Sequence, residues 1–92
     1  MQKNISQNFT APWYVYIIEC SDKTLYTGTT NNIKRRITAH NSGTGAKYTH
    51  GRGPVKLLHV ELFENRSAAC KRESVIKKLS KIEKQQLNNQ VQ

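Results

Sequence analysis

The chain has 92 residues and carries 15 lysines and arginines against 6 aspartates and glutamates, which gives a formal net charge of +9 at pH 7. This length predicts one domain with one modest core. The longest apolar run, residues 13–18, is far shorter than the roughly 20 residues of a membrane-spanning helix. The polar residues 1–10 predict no signal peptide, and two cysteines without paired spacing favour reduced thiols and a cytoplasmic location.

Positive charge is concentrated in two segments. No acidic residue lies between Asp22 and Glu61, and this stretch contains seven bases: Lys23, Lys34, Arg35, Arg36, Lys47, Arg52 and Lys56. A second basic segment, residues 66–84, is interrupted only by Glu73 and Glu83. Because phosphate contacts release counterions, basic surfaces attract polyanions. The distribution favours a nucleic-acid partner, and a basic surface that serves solubility alone is the alternative.

The first elements in chain order predict a hairpin. Residues 14–19 are aromatic and β-branched with apolar side chains on both faces, which predicts a central strand covered on both sides. Residues 21–24 predict a polar turn, and residues 25–29 predict a second strand. The hairpin would bring the rings of Tyr16 and Tyr26 together. A cross-strand aromatic pair that serves packing alone is the alternative.

A helix is predicted next. Residues 30–32 offer N-caps, and Ile33 and Ile37 follow at helical spacing. Arg36 and His40 are four residues apart and share an adjacent face. A guanidinium and an imidazole placed together could bind a phosphate. A solvated face with a histidine near the negative end of the helix dipole is the alternative.

Glycine marks the hairpin and the loop that begins at Asn41. Gly28, in the second strand, indicates a site where another backbone or a ligand comes close. The loop glycines match no nucleotide-binding fingerprint. Within the loop, Lys47, Tyr48 and Arg52 combine bases with an aromatic ring, as a surface for base stacking and phosphate contacts does. A mobile loop with incidental charge is the alternative.

Three more elements complete the chain. The first is a strand over residues 55–63. The second is a helix that is capped by Asn65 or Ser67 and runs through Leu79. The third is a short helix to about Asn88, which begins with the capping box Ser80-x-x-Glu83. The order β-β-α-β-α-α predicts an α+β domain with a mostly antiparallel sheet. The predicted division is a flexible N-terminal arm over residues 1–12, a domain over residues 13–88 and a C-terminal tail over residues 89–92.

Glu73 is a lone carboxylate at the edge of the apolar stripe formed by Ala69 and Ile76. It is either a salt-bridge partner or a metal ligand. The sequence has no cluster of acidic residues, which argues against a site with two metal ions. Mg²⁺ accepts one carboxylate together with water and substrate phosphate. Cys20 and Cys70 lack zinc-site spacing.

Together these residues resemble the GIY-YIG nuclease superfamily. The first motif has the sequence Tyr14-Val15-Tyr16 and the second Tyr26-Thr27-Gly28, with Tyr14 in place of the first motif's glycine and Thr27 in the middle of the second. The resemblance covers roughly residues 13–87 and is to the small stand-alone bacterial members. It places Arg36 at the catalytic arginine, His40 at its companion position, Glu73 at the metal-binding glutamate and Asn88 at a late asparagine.

The resemblance implies a three-stranded antiparallel sheet flanked by helices, and hydrolysis of DNA phosphodiester bonds with one Mg²⁺ or Mn²⁺ ion. Glu73 would hold the ion, and Arg36 would stabilise charge on the phosphoryl oxygens. Either Tyr26, or Tyr16 together with His40, would accept a proton from water. The residues expected to contact the DNA backbone are Lys34, Arg35, Lys47, Tyr48 and Arg52. High specificity would come from a protein partner, a dimer or the shape of the nucleic acid. The alternative function is a non-catalytic nucleic-acid-binding module on the same fold.

Overall fold

The structure is a computed structural model and describes residues 12–90, without the side chains of Lys47 and residues 88–90. Its elements are β1 (Trp13–Glu19), β2 (Leu25–Thr30), α1 (Ile33–Asn41), a 3-10 turn (Lys47–Thr49), β3 (Lys56–Phe63), α2 (Arg66–Lys77) and α3 (Lys81–Gln90). This order confirms the predicted β-β-α-β-α-α arrangement. The predicted arm lies outside the described residues apart from Pro12, as do residues 91–92 of the predicted tail.

β1 is the central strand of an antiparallel sheet with the order β2-β1-β3. Successive side chains of a strand point to opposite faces of the sheet. Val15 and Ile17 accordingly pack against α2, whereas Tyr16 and Ile18 pack against α1. All four are fully buried, and burial of each aliphatic side chain contributes about 1.5–3 kcal/mol. The prediction that the first strand is covered on both faces is confirmed.

Polar side chains fix where the helices begin. Asn32 caps α1 and Asn65 caps α2, each accepting a hydrogen bond from the amide three residues later, at 3.0 and 2.9 Å. Ser80 and Glu83 form the predicted capping box before and within α3: the Ser80 amide donates to the Glu83 carboxylate at 2.8 Å, and the Glu83 amide donates to the Ser80 hydroxyl at 3.1 Å.

Two helix ends differ from the prediction. α2 ends at Lys77 rather than Leu79, because the amides of residues 78 and 79 bond to carbonyls three residues back and tighten the last turn. α3 continues to Gln90, two residues beyond the predicted end. No helix within residues 12–90 is long and apolar enough to cross a membrane.

β3 contains an irregularity that its sequence pattern does not show. Ile17 pairs with His59 but Ile18 pairs with Leu57, so Leu58 is an extra residue in a β-bulge. His59 is 4% exposed and lies beside Ile17 on the face covered by α2. The bulge therefore places Leu57, rather than Leu58, opposite Ile18, and the regular part of the strand places a histidine in the core.

An ion-pair network connects β3 to α2. Arg72 donates to both carboxylate oxygens of Glu61, at 2.8 and 3.1 Å, and the His59 Nε2 atom lies 2.7 Å from the same carboxylate. Burial alone would raise the pKa of the Glu61 carboxyl, but the bonds from Arg72 and His59 outweigh it and lower that pKa. The network holds the helix that carries Glu73 against the sheet.

Candidate active site

Tyr16 lies over the glycine of the neighbouring strand. Tyr16 and Gly28 are direct partners in the register of β1 and β2. A Cβ atom added to Gly28 would lie 2.6 Å from the Tyr16 Oη atom and 2.9 Å from its Cζ atom. The group that approaches Gly28 closely is therefore the side-chain hydroxyl of Tyr16, and not the backbone or ligand that the sequence indicated.

Two side chains of α1 meet at this hydroxyl. Arg36 Nε donates to Tyr16 Oη at 3.3 Å, and His40 Nε2 lies 2.8 Å from the same oxygen. The spacing of four residues brings both groups to one point, as predicted from the sequence. Tyr16 is fully buried and Arg36 can only donate, so the hydroxyl proton points to His40 Nε2.

The surroundings set the protonation states of these groups. Burial raises the pKa of the Tyr16 hydroxyl, and the guanidinium of Arg36 offsets part of that increase. Burial, aided by the positive charge of Arg36, lowers the pKa of His40 below its ordinary value of 6.5. At pH 7 the site therefore presents a protonated tyrosine, a neutral imidazole and a charged guanidinium. A neutral His40 does not serve as the cation that a helix C-terminus attracts.

Aromatic rings extend the site toward solvent. The Tyr26 ring centroid lies 6.4 Å from that of Tyr16 and 5.4 Å from that of His40. Tyr48 stacks on Tyr26 at 5.7 Å with 23° between the ring planes, and 43% of Tyr48 is exposed. The predicted proximity of Tyr16 and Tyr26 is confirmed, and Tyr48 forms the outer wall of the cluster.

Arg52 is engaged within the protein. It forms an ion pair with Asp22 in the hairpin turn, and its guanidinium lies 4.7 Å from the Tyr48 ring centroid. Hydrogen bonds from Thr24 lower the pKa of the Asp22 carboxyl, which keeps that partner charged. Arg52 thus holds the loop against the hairpin, and its contact with DNA stays a prediction.

The remaining predicted residues lie around this cluster. Lys34 and Arg35 are exposed on α1, Tyr14 is half-buried, and Val15 and Thr27 are buried in the sheet. The Thr27 Oγ1 atom has no hydrogen-bond partner among the described residues. The structure does not describe the side chains of Lys47 and Asn88. The DNA contact of Lys47 and the match of Asn88 to the family's late asparagine therefore stay predictions.

Glu73 lies on α2, which packs against the opposite face of the sheet from α1. Its side chain is 20% exposed and forms a salt bridge with Lys77 Nζ at 3.0 Å. A salt bridge was one of the two roles that the sequence left open for Glu73. Burial is the main cause of the raised pKa of the Tyr16 hydroxyl, and the negative charge of Glu73 adds a smaller contribution.

The residues of the site can supply a metal ion with one protein ligand. Within residues 12–90 no group of three His, Cys, Asp or Glu side chains could hold a metal ion together. Mg²⁺ is commonly bound by one or two carboxylates, with water and substrate phosphates supplying the other ligands. The Lys77 side chain is 53% exposed, and such a surface ion pair is worth only about 0–1 kcal/mol. Glu73 can exchange this partner at small cost and fits as a single ligand.

Comparison with known proteins identifies the family. The model of the GIY-YIG catalytic domain matches residues 12–88 of the chain. The chain belongs to the GIY-YIG family. This confirms the resemblance to the family, and the roles assigned to Arg36, His40 and Glu73 stay predictions.

Relatives of similar size share this GIY-YIG domain. A UPF0213 protein of Clostridium perfringens is 61% identical over 74 residues, covering 80% of each chain. A UPF0213 protein of Syntrophus aciditrophicus is 60% identical over 78 residues, covering 84% of this chain and 90% of the relative. The solution NMR structure of a UPF0213 protein from Bacillus halodurans is 47% identical, with a TM-score of 0.53 and coverage of 83% and 81% of the two chains. A solution NMR structure from E. faecalis is 46% identical, with a TM-score of 0.57 and coverage of 85% and 84%.

Two residues around His40 were not found from the sequence of this GIY-YIG domain. Thr49 Oγ1 lies 2.7 Å from His40 Nδ1 and is 1% exposed. A Cβ atom added to Gly45 would lie 2.5 Å from His40 Nδ1 and 2.9 Å from its Cα atom. Both belong to the loop after α1, where no periodic pattern relates a residue to its neighbour in space.

Gly28→Ala is expected to destabilise this GIY-YIG domain by about 1–3 kcal/mol, because the added methyl group overlaps the Tyr16 hydroxyl. Urea denaturation measures the free energy of unfolding. Gly53→Ala is the matched control, since the nearest atom to its added Cβ is at 3.6 Å. Equal stability of the two variants would show that Tyr16 does not occupy this position in solution.

Proposed function

We propose that this protein is an endonuclease that hydrolyses DNA phosphodiester bonds with one divalent metal ion, Mg²⁺ or Mn²⁺, and selects its substrate by DNA structure in repair or recombination. Membership of the GIY-YIG family supports a nuclease-type function. The observation that carries the proposal is the meeting of Arg36, Tyr16 and His40 at one buried hydroxyl group. In this arrangement Arg36 supplies a positive charge that can bind the phosphate, and Tyr16 and His40 can transfer a proton.

Arg36 binds and stabilises the phosphoryl group in this proposal. Its Nε–H is bonded to Tyr16, which orients the planar guanidinium, and its other N–H groups can donate to phosphoryl oxygens. The hydrogen bond to Tyr16 raises the pKa of Arg36, so the charge is permanent. A preorganised donor of this kind contributes about 3–4 kcal/mol to transition-state stabilisation.

Tyr16 and His40 act together on the attacking water. The Tyr16 oxygen accepts a proton from water while the tyrosine's own proton passes to His40 Nε2, and the hydroxide attacks phosphorus. The bond from phosphorus to the leaving sugar oxygen breaks, that oxygen takes a proton from solvent, and the imidazolium returns its proton to solvent. The raised pKa of Tyr16 is compatible with this role, because the oxygen never has to hold a free negative charge. Tyr26 contacts the same imidazole through its ring, which supports Tyr16 with His40 over Tyr26 as the proton acceptor.

Glu73 is the residue that would hold the metal ion. A bound divalent ion supplies positive charge at the scissile phosphate. Glu73 would exchange its bond to Lys77 for the ion, and Lys77 would turn to solvent. The carboxylate can thus switch between two cationic partners without rearrangement of α2.

The proposal is tested by incubating the purified protein with single-stranded, duplex and branched DNA in Mg²⁺, Mn²⁺ or a chelator. Cleavage is expected with either metal and not with the chelator. Glu73→Gln is expected to lower the cleavage rate by about 100-fold or more, since a metal ion contributes several kcal/mol. Glu64→Gln removes the same charge from an exposed position and serves as the matched control.

Metal-independent cleavage, or a Glu73→Gln variant as active as Glu64→Gln, would refute the assignment of the metal to Glu73. Binding to every DNA without cleavage in either metal would favour the non-catalytic nucleic-acid-binding module. The net charge of +9 supports binding in both cases.

The cellular setting is also part of the proposal. Cys20 and Cys70 are free thiols, which fits a reducing compartment, and we place the protein in the cytoplasm. Phosphate contacts from a basic surface carry no sequence information. A protein partner, or the shape of the DNA itself, would therefore supply selectivity.

A further inference from the structure

We infer that Thr49 is a positioning residue that holds the His40 imidazole in the tautomer protonated on Nδ1, which leaves Nε2 free to accept the proton of Tyr16. The catalytic meaning of this inference rests on the proposed function. The tautomer itself does not, because it follows from the hydrogen bonds of the free protein.

The first argument comes from the loop end of the hydrogen-bond chain. The Thr49 hydroxyl has one proton to donate. Its Oγ1 atom lies 2.9 Å from the carbonyl oxygen of Ala46, which only accepts, and 2.7 Å from His40 Nδ1. With its proton donated to Ala46, the hydroxyl oxygen accepts from His40. The Nδ1 atom therefore carries the proton.

The second argument comes from the sheet end. The Tyr16 hydroxyl is fully buried, and its two partners are Arg36 Nε and His40 Nε2. Arg36 only donates, so His40 Nε2 is the one partner that can accept the Tyr16 proton. A neutral imidazole has one protonated and one unprotonated nitrogen. Both ends of the chain therefore require the same tautomer.

Every donor in the hydrogen-bond chain has an acceptor when the protons point from Arg36 toward the Ala46 carbonyl. This is not so when they point the opposite way. From Arg36 to the Ala46 carbonyl, each N–H and O–H has an acceptor. Reversal would leave the buried Tyr16 O–H without an acceptor, and buried polar groups in folded proteins are almost always paired. Gly45, whose lack of a side chain admits the imidazole, keeps His40 against the loop that carries Thr49.

A purely structural role for Thr49 makes a different prediction. Thr49 also closes the 3-10 turn through its amide, which donates to the Ala46 carbonyl at 3.1 Å. Valine has the shape of threonine and keeps that amide, but it lacks the hydroxyl. Thr49→Val would be silent if Thr49 served only to fill space and close the turn.

The test is the ring-nitrogen NMR spectrum of the ¹⁵N-labelled protein at neutral pH, without DNA or metal. Protonated and unprotonated imidazole nitrogens have well-separated ¹⁵N shifts, so the spectrum shows which nitrogen carries the proton. We expect protonation at Nδ1 in the wild type and in Thr49→Ser. In Thr49→Val we expect a mixture of the two tautomers, because Tyr16 still donates to Nε2 while a proton on Nδ1 has lost its acceptor. Thr44→Val makes the same change at an exposed threonine of the same loop and is expected to leave His40 unchanged.

A wild-type His40 protonated on Nε2, or a Thr49→Val protein still fully protonated on Nδ1, would overturn the inference. If Thr49→Val does not fold, Thr49→Ala is measured in its place. In the cleavage assay we expect Thr49→Val to lower the single-turnover rate by about 10- to 100-fold and Thr49→Ser to restore it. The expected tautomers in a protein that cuts no DNA would refute the proposed function and leave the inference standing.

Discussion

Replacing Tyr16 with phenylalanine is expected to lower single-turnover DNA cleavage by about 100- to 10,000-fold, the range that general acid–base catalysis contributes. The substitution removes the hydroxyl that connects Arg36 to His40 and keeps the ring that packs in the core. DNA binding is expected to persist, because the exposed bases of α1 are unchanged. Rates are measured with protein in excess, so that binding differences do not enter.

Tyr14→Phe is the matched control for this substitution. Tyr14 lies two residues earlier on the same strand and so points to the same face of the sheet. The loss of its hydroxyl is expected to leave cleavage within about twofold of the wild type, because the hydroxyl that is bonded to Arg36 and His40 belongs to Tyr16 and is unchanged. Equal losses in both variants would indicate that a general disturbance of β1, rather than the Tyr16 hydroxyl, lowers the rate.

Arg36→Gln is expected to lower the cleavage rate by about 100- to 1000-fold, the loss typical of a donor to a developing oxyanion. Glutamine retains polarity but removes the charge and the Nε–H that bonds Tyr16. Arg36→Lys restores the positive charge without the planar guanidinium group. We therefore expect its cleavage rate to lie between those of Arg36→Gln and the wild type. The measurement is again single-turnover cleavage, accompanied by the affinity for the uncut DNA.

Arg66→Gln provides the charge control. The Arg66 guanidinium lies 5.2 Å from the ring centroid of Trp13 and is not part of the hydrogen-bond chain. Its removal lowers the net charge by the same amount, and we expect cleavage near the wild-type rate. If Arg36→Gln weakens DNA binding but cuts at the wild-type rate once saturated, Arg36 only binds DNA and the mechanism is wrong.

The part of the site that could be predicted from the sequence is the part set by the regular periodicity of strands and helices. The strand-turn-strand pattern brings the rings of Tyr16 and Tyr26 together, because a hairpin places its two strands side by side. The four-residue spacing in α1 brings Arg36 and His40 to one point. Side-chain caps at Asn32 and Asn65 were likewise visible in the sequence.

The remainder depends on contacts that no local repeat describes. Thr49 reaches His40 through an irregular loop, and Arg52 meets Asp22 across thirty residues of sequence. The β-bulge at Leu58 places Leu57 opposite Ile18, and Val60 and Leu62, on the face of Tyr16, are 42% and 65% exposed. Each arrangement is set by tertiary packing, and alternation of apolar residues alone cannot indicate it.

The central claim is that the buried Tyr16 hydroxyl makes a DNA-binding surface into a nuclease. Its most direct test is to measure binding and single-turnover cleavage of one branched DNA in Mg²⁺ in the same samples, for the wild type and Tyr16→Phe. We predict equal affinity for both proteins and cleavage at a measurable rate by the wild type alone. A wild-type protein that binds this DNA and does not cut it, or a Tyr16→Phe variant that cuts it as fast, would contradict the account.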